Sequence, residues 1–366
     1  MKFSKVAVCI FGGIVLAACV VLVVAAIAGR PLKTTPVYDL EGVEENVQGA
    51  LWYASLAANS HNAQMWNVIL SLPEKRVVLS VDENRSLNVV DEKGREAVIS
   101  LGCYVETMCV AFEAFGYDTQ VEYADQKVYV SYSKRENAEI DQEKIALLEK
   151  RHTDKEAYKD DPVAVDVADQ LLQEYPSMRL YQNGEEKFSY LKRISAEAVA
   201  SQSADQEYRD ELAEWLRFSD REAADRRDGL SADMMGLQGI VKSVYYWTTT
   251  RKSAQGDGFA KQGIATADKQ LNHCGAFAVF TGEESFEELL TVGRTVQAFW
   301  FDCTERGIAV QPFSAALETE PFCEAIQGEL GTEQPVQMIL RLGYVDDYGQ
   351  NSGLRRPLSD YIEVSR

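Results

Sequence analysis

An uncharged stretch of 23 residues, from Val6 to Ala28, places the strongest constraint on how this chain folds. At about 1.5 Å of rise per helical residue it would span about 35 Å, enough to cross the hydrocarbon core of a bilayer. A cleaved signal peptide has a shorter apolar region and a small-residue cleavage site. We therefore expect residues 6–28 to form one N-terminal transmembrane helix, within a membrane anchor of residues 1–30.

A lipoprotein is the alternative for the same stretch. The sequence Leu16-Ala17-Ala18-Cys19 resembles the site at which bacterial lipoproteins are cleaved and lipidated on cysteine. However, uncharged residues continue well past Cys19, where a lipoprotein normally becomes polar. The small excess of positive charge before the stretch, at Lys2 and Lys5, favours an N-terminus inside and a main body outside the cytoplasm.

The composition is that of a folded domain that does not bind nucleic acid. Of the 366 residues, 46% are hydrophobic and 26% are charged, which is sufficient for a core. The formal net charge is −20, and the sequence has no basic stripe with interleaved aromatic residues. We therefore expect no nucleic-acid partner.

Hydrophobic spacing in the body predicts a mixture of helices and strands. Helices are predicted over residues 41–58, 91–115, 163–174, 196–218 and 284–306. Strands are predicted over residues 66–72, 76–81, 120–122, 127–132, 274–281 and 336–345. A charged stretch over residues 133–161 is predicted to be a solvated helical linker. The predicted class is α+β, with an antiparallel or mixed sheet between helical layers.

The common motifs of hydrolases and metalloenzymes are absent from the sequence. It contains no GxSxG, HExxH, P-loop or GxGxxG motif, and its three histidines are not spaced with carboxylates as metal ligands. No metal site is predicted, and Gly256-Asp257-Gly258 is interpreted as a flexible loop. An enzyme of this kind would depend on a bound organic cofactor.

A polar loop, Asn59–Trp66 (NSHNAQMW), lies between a predicted helix and a predicted hairpin. Its amides can donate and accept hydrogen bonds, which suits a ring edge of mixed polarity or, alternatively, a solvated helix end. The loop resembles the (P)SSxNxQPW segment of the nitroreductase family, with Asn59 in place of Ser and Met65 in place of Pro. That segment contacts the isoalloxazine ring, so the resemblance implies flavin contacts from Asn59, Ser60, Asn62 and Gln64.

The charged stretch contains a second motif, RHTDK, at residues 151–155. Two cations and a hydroxyl in five residues suit a phosphate, although a solvated helix end has the same composition. With the following Tyr158, the motif resembles the RxSxK/R…F phosphate motif at the start of a nitroreductase domain. The resemblance implies cofactor contacts from Arg151, His152, Thr153 and Lys155.

Two further segments complete the resemblance. GIAVQPFSA (307–315) is similar to the family's segment whose backbone N–H groups face flavin N5. This similarity implies cofactor contacts from Pro312, Ser314 and Ala315. A plain helix-to-strand loop is the alternative. RLGY (341–344) and LRRPL (354–358) resemble the family's last strand and the basic segment that contacts the flavin phosphate. Arg355 and Arg356 are the candidates, and Arg355 matches better because it lies two residues before the proline.

These motifs are divided between two parts of the chain. Residues 41–140 have the ring-contacting loop, whereas residues 141–366 have the phosphate motif, the N5 segment and the arginines. In the family's dimers the two sets come from opposite subunits of one site. The resemblance therefore implies, after a linker of residues 31–40, two degenerate nitroreductase-like halves, each a sheet flanked by helices, that form a monomeric pseudo-dimer with one FMN.

The resemblance implies three functions. The first is an FMN-dependent oxidoreductase that takes a hydride from NAD(P)H or another donor and reduces an unidentified small-molecule acceptor. No catalytic side chain is then required, because the flavin carries the chemistry. The second is a non-catalytic protein that binds or sequesters flavin, favoured by the lack of an evident dinucleotide motif. The third is a dehalogenase-like use of the same fold at a membrane.

Overall fold

The computed structural model describes residues 19, 20 and 22–366. Most of the predicted transmembrane stretch lies outside the described residues, and its last part, 22–28, is helical. Within the described part of the chain, the one helix with the length and composition of a membrane span is Arg95–Ala114. Most of this helix is buried inside the protein, so it is a core helix.

The strands of the described chain form two sheets. The first contains β1 (Trp66–Ser71), β2 (Arg76–Val81), β3 (Tyr117–Ala124), β4 (Lys127–Lys134) and β9 (Ile362–Ser365) in the order β3-β4-β2-β1-β9. The second contains β5 (Met178–Gln182), β6 (Ala276–Thr281), β7 (Ile308–Pro312) and β8 (Val336–Tyr344) in the order β5-β6-β8-β7. All pairs are antiparallel except β1 and β9, so the end of the chain adds a parallel strand to the first sheet.

Helices flank both sheets, and the predicted α+β class is confirmed. In chain order the α-helices are α1 (Glu45–Ala54), α2 (Arg95–Ala114), α3 (Gln142–Lys150), α4 (Val165–Glu174), α5 (Glu186–Ala204), α6 (Gln206–Trp215), α7 (Asp220–Arg226), α8 (Gly239–Thr248), α9 (Arg251–Ala254), α10 (Asp257–Asn272), α11 (Phe286–Glu305), α12 (Ala315–Glu318) and α13 (Phe322–Leu330). Strand β6 is buried on both faces because its alternate residues enter two hydrophobic clusters.

Some sequence predictions need correction. The helix predicted over residues 196–218 is two helices, because the Asp205 carboxylate accepts a hydrogen bond from the Glu207 N–H (2.8 Å) and begins a new helix there. Gly256-Asp257-Gly258 is not a flexible loop but the start of α10, with Asp257 in its first turn. In the charged stretch 133–161, the helix is limited to α3. The short strands β5, β7 and β9 were not predicted.

Helices α2 and α11 cross in the core at two glycines. A Cβ on Gly102 would lie 2.3 Å from the Leu290 carbonyl oxygen, and one on Gly293 would lie 2.1 Å from that of Ile99. These positions accept no side chain without moving the backbones apart. Because α2 lies in residues 41–140 and α11 in residues 141–366, the crossing joins the two predicted halves.

Candidate functional site

Two adjoining cavities lie between segments that are distant in sequence. The large cavity has a volume of about 460 Å³, within the range of small-molecule sites. The small cavity has a volume of about 50 Å³. The two share a wall that consists of Ala58, Asn59, Asn62, Thr153 and Met234.

Eleven of the thirteen residues predicted to contact a cofactor line these cavities. Those at the large cavity are Asn59, Ser60, Asn62, Thr153, Lys155, Pro312, Ser314 and Ala315. Those at the small cavity are Asn59, Asn62, Arg151, His152, Thr153 and Arg355. Residues near positions 60, 150, 312 and 355 are thus brought together by the fold.

Gln64 and Arg356 are the two predicted contacts that the structure does not bring to either cavity. The Gln64 amide donates to the Arg227 carbonyl oxygen (2.8 Å) and accepts from the Arg356 N–H (3.0 Å). The Arg356 guanidinium in turn donates to the Gln64 carbonyl oxygen (2.7 Å). These groups are used within the protein, so they hold the loop in place instead of facing the cavities.

The loop of residues 59–66 has an unusual backbone. His61, Asn62 and Gln64 have φ angles of 50°, 52° and 53°, in the left-handed region. Asn and His occur there more often than other residues, but three such positions within four residues are uncommon. The Asn59 carboxamide oxygen closes the loop by accepting from the Gln64 N–H (2.9 Å). Backbone strain of this kind is concentrated at functional sites.

Two buried arginines form the wall of the small cavity. The Arg355 guanidinium donates to the Asn62 carboxamide oxygen (2.9 Å) and to the Leu56 carbonyl oxygen (3.2 Å). Arg151 also donates to the Leu56 carbonyl oxygen, and its guanidinium lies 4.9 Å from the centre of the Trp300 ring. Both side chains are therefore fixed in place by backbone and aromatic contacts.

These two arginines have no carboxylate to balance their charge among the residues that the structure describes. Burial lowers the pKa of Arg151 to about 10. Burial and the neighbouring Arg151 charge lower the pKa of Arg355 to about 9. Two close, buried and unbalanced cations are unfavourable alone and suit a small dianion.

The large cavity contains polar atoms without partners. Within the described chain, the His61 Nδ1, Trp300 Nε1 and Gln311 Oε1 atoms are buried and form no hydrogen bond. All three residues line this cavity. Lys155 also faces it, burial lowers the pKa of its ammonium group, and no ion pair involving it is found among described residues. Unsatisfied buried groups are costly, and a polar ligand that reached these atoms would remove that cost.

A pair of carboxyl groups, Glu96 on α2 and Glu318 on α12, lies at the same cavity. The Ser60 hydroxyl donates to Glu96 (2.6 Å), and the Gln202 amide donates to Glu318 (2.8 Å). Burial and the neighbouring Glu96 carboxylate, to which it is hydrogen-bonded, raise the pKa of Glu318 well above its usual range. Burial alone would raise the pKa of Glu96, but Arg95 and hydrogen bonds from Glu318, Ser60 and Ser314 lower it. The two carboxyl groups therefore disfavour a second negative charge, and Glu318 is the one whose pKa is raised.

Sequence reasoning missed this pair, although a signal was present. Glu96, Ser100 and Cys103 follow the spacing i, i+4, i+7 on a largely apolar helix, and all three line the large cavity. Asn351, Ser352 and Gly353 at the small cavity were also missed. They lie in an irregular segment whose composition gives no specific signal.

Comparison with known proteins finds distant similarity. No family model matches the chain. The probable NAD(P)H nitroreductase PigM of Serratia is 24% identical over 197 residues, which are 50% of this chain and 54% of that protein. The chain thus spans about half the length of this curated relative.

Solved structures give weaker likenesses. The FMN-dependent nitroreductase NfnB of Mycobacterium smegmatis, solved in complex with NADPH, has 17% identity and a TM-score of 0.39 over 62% of this chain and 100% of that chain. A nitroreductase-like family protein of Bacillus cereus has 14% identity and a TM-score of 0.32, over 61% of this chain and 95% of that chain. By its sequence, the chain is similar to one probable NAD(P)H nitroreductase over about half of each chain.

Proposed function

We propose that the chain is an FMN-dependent oxidoreductase that uses NAD(P)H or another donor to reduce a small-molecule acceptor. One observation carries this proposal: a buried and unbalanced pair of arginines adjoins a larger cavity with unsatisfied polar atoms. FMN offers a dianionic phosphate at one end and a polar ring at the other. The curated relative's activity, NAD(P)H nitroreduction, belongs to the same class.

The residues present fit this cofactor. Arg151, Arg355 and Thr153 at the small cavity would bind the phosphate. The loop of residues 59–62 and the segment 312–315 form walls of the large cavity, which would hold the ring. FMN, when bound, supplies reversible hydride acceptance. NfnB of Mycobacterium smegmatis, a distant structural neighbour, is FMN-dependent and was solved with NADPH.

The chain's own contribution would be electrostatic. Lys155 places a positive charge at the wall of the large cavity and so favours negative charge there. The raised pKa of Glu318 favours its neutral carboxyl form at this cavity. That carboxylic acid can donate its proton into the cavity and leave the pair with two negative charges until it is reprotonated from solvent.

We also propose that the two predicted halves form a single-chain pseudo-dimer with one FMN. The crossing of α2 and α11, each with a glycine at the contact, supports a close pairing of the two halves. Released flavin measured against protein concentration should give one FMN per chain. Two FMN per chain would refute the divided site.

An absorption spectrum of the purified chain, before and after anaerobic addition of NADPH, tests the function. A yellow protein that bleaches supports the oxidoreductase. A protein that stays yellow with NADPH and with NADH, and bleaches with dithionite, supports a protein that only holds flavin. A protein that is colourless and does not take up added FMN contradicts both.

Finally, we propose that residues 6–28 anchor the chain in a membrane, with the body outside the cytoplasm. The length and uncharged character of the stretch support this. After carbonate washing, the full chain should remain with the membrane fraction. Release by the wash would contradict an anchor, whereas labelling with palmitate that is lost in Cys19→Ser would indicate a lipoprotein.

A further inference from the structure

Helix α8 (Gly239–Thr248) presents an apolar face to solvent. Ile240, Val241, Val244 and Trp247 are 40%, 60%, 45% and 61% exposed. Their spacing of i, i+1, i+4 and i+7 puts them on one side of the helix. Exposed apolar surface concentrated in this way normally contacts a partner or a membrane.

The opposite face of α8 is fixed to the protein by buried charges. The Lys242 ammonium group is fully buried and forms ion pairs with Asp220 (2.8 Å) and Asp233 (2.8 Å). Tyr245 is also buried on this side. Because an unpaired buried Lys would be very costly, the helix cannot rotate to hide its apolar residues.

The same helix is bound to the end of the uncharged stretch. The Ser243 hydroxyl donates to the Ala25 carbonyl oxygen (2.7 Å), and the Gly239 N–H donates to that of Gly29 (2.8 Å). Residues 22–28 therefore run beside α8 in the opposite direction. The two glycines are close enough that a Cβ on Gly29 would lie 1.8 Å from the Gly239 oxygen.

The two helices together form one apolar surface. Leu22, Val23, Val24 and Ile27 are each about half exposed, like the apolar residues of α8. Basic residues lie near this surface in sequence, at Arg30, Lys33 and Lys252, although the chain as a whole has a net charge of −20. Apolar side chains, a tryptophan and neighbouring basic residues are the composition that binds a bilayer interface.

We propose that α8 is a second membrane-contacting element, which packs along the end of the anchor where the anchor leaves the bilayer. A bilayer covers both helices at once, since the anchor stretch already needs such an environment over its whole length. The inference rests on the proposed anchor and adds that α8 holds the folded body against the membrane. The segment also joins the membrane to the candidate site: Leu230 and Met234 before α8, and Phe259 after it, line the large cavity.

Quenching of Trp247 fluorescence by brominated lipids tests the proposal. The full chain is reconstituted in phosphatidylcholine–phosphatidylglycerol vesicles with and without brominated acyl chains. The emission of Trp247 is taken as the difference between the parent and Trp247→Phe. We expect this emission to be lost in brominated vesicles and to resist quenching by aqueous iodide.

A matched control places tryptophan on another exposed apolar position. Val165 on α4 is 76% exposed, so Val165→Trp in the Trp247→Phe chain should respond to iodide and not to brominated lipid. Two results with vesicle-bound chain would overturn the inference while leaving the anchor intact. In the first, Trp247 is quenched by iodide alone. In the second, it is quenched by neither quencher, as expected if another copy of the chain covers α8. A chain that does not sediment with vesicles overturns both.

Discussion

The small and the large cavity share a wall but are built in opposite ways. In the small cavity, each guanidinium is held by backbone carbonyl groups, and its charge is left for an anion to balance. In the large cavity, the His61 Nδ1 and Gln311 Oε1 atoms are unpartnered within the described chain, and the pKa of one of two neighbouring carboxyl groups is raised. The small cavity is therefore suited to positioning a ligand, whereas the large cavity is suited to changes of charge and protonation.

Among the substitutions considered, replacement of Arg355 should have the largest effect, and the effect should be on FMN affinity at the small cavity. Arg355→Ala removes a charge-assisted hydrogen bond to phosphate, worth roughly 1.5–3 kcal/mol, or about 10- to 150-fold in FMN affinity. Riboflavin lacks the phosphate, so its affinity should change much less. Fluorescence titration of the apoprotein with each flavin measures both constants.

Arg356→Ala is the control for this prediction. Arg356 is also buried, but it lies outside both cavities and binds Gln64. The ratio of FMN to riboflavin affinity should therefore be unchanged even if the variant is less stable. An unchanged ratio in Arg355→Ala would mean that the small cavity does not bind the phosphate.

A smaller effect is expected from Asn62, which supports Arg355 through its carboxamide oxygen. Asn62→Leu removes this support but leaves the carbonyl partners of Arg355, so FMN affinity should fall by about 1 kcal/mol, or about fivefold. The same change at the exposed Asn67 is the control. A shift in the flavin's reduction potential together with the loss of affinity would instead favour direct contact between Asn62 and the ring.

The smallest effect concerns Glu318, and it depends on pH. The pKa of Glu318 is raised in the folded protein, so its contribution to stability is present below the ordinary glutamate pKa and is lost as pH rises through the raised value. Glu318→Gln cannot ionise. The variant should therefore gain melting temperature relative to the parent as pH rises, with little difference in acid.

Thermal melts of the apoprotein between acid and mildly alkaline pH measure this difference without requiring activity. Titratable groups near the pair include Arg95, Lys155, His61, Asp91 and Tyr208, and they are common to parent and variant. Glu329→Gln on an exposed position of α13 is the control. A difference between parent and Glu318→Gln that does not grow with pH would show that Glu318 ionises normally.

The sequence was most informative where a local pattern and a motif coincide. The β1–β2 hairpin follows from two β-like runs around Pro73, and it is confirmed. The meeting of Arg151 and Arg355, about 200 residues apart, came from the resemblance and not from any pattern. Their contact with a phosphate stays a prediction.

Long-range polar contacts could not be predicted from local patterns. Gln64 matches the family motif, yet its amide is used by Arg227 and Arg356 because the segment after α7 passes beside the loop. Similarly, α8 has amphipathic spacing, but its exposed face is set by the burial of Lys242 with Asp220 and Asp233. Such pairings depend on how distant segments meet, which spacing alone does not specify.

The place of β9 in the first sheet has a consequence for synthesis of the protein. Its partner β1 emerges from the ribosome nearly 300 residues earlier, which at 5–20 residues per second is about 15–60 s. During that time one edge of β1 is unpaired, and unpaired edges are where chains associate wrongly. A chain cut before Ile362 would keep this edge of β1 open, so we expect it to aggregate more readily than the chain that contains β9.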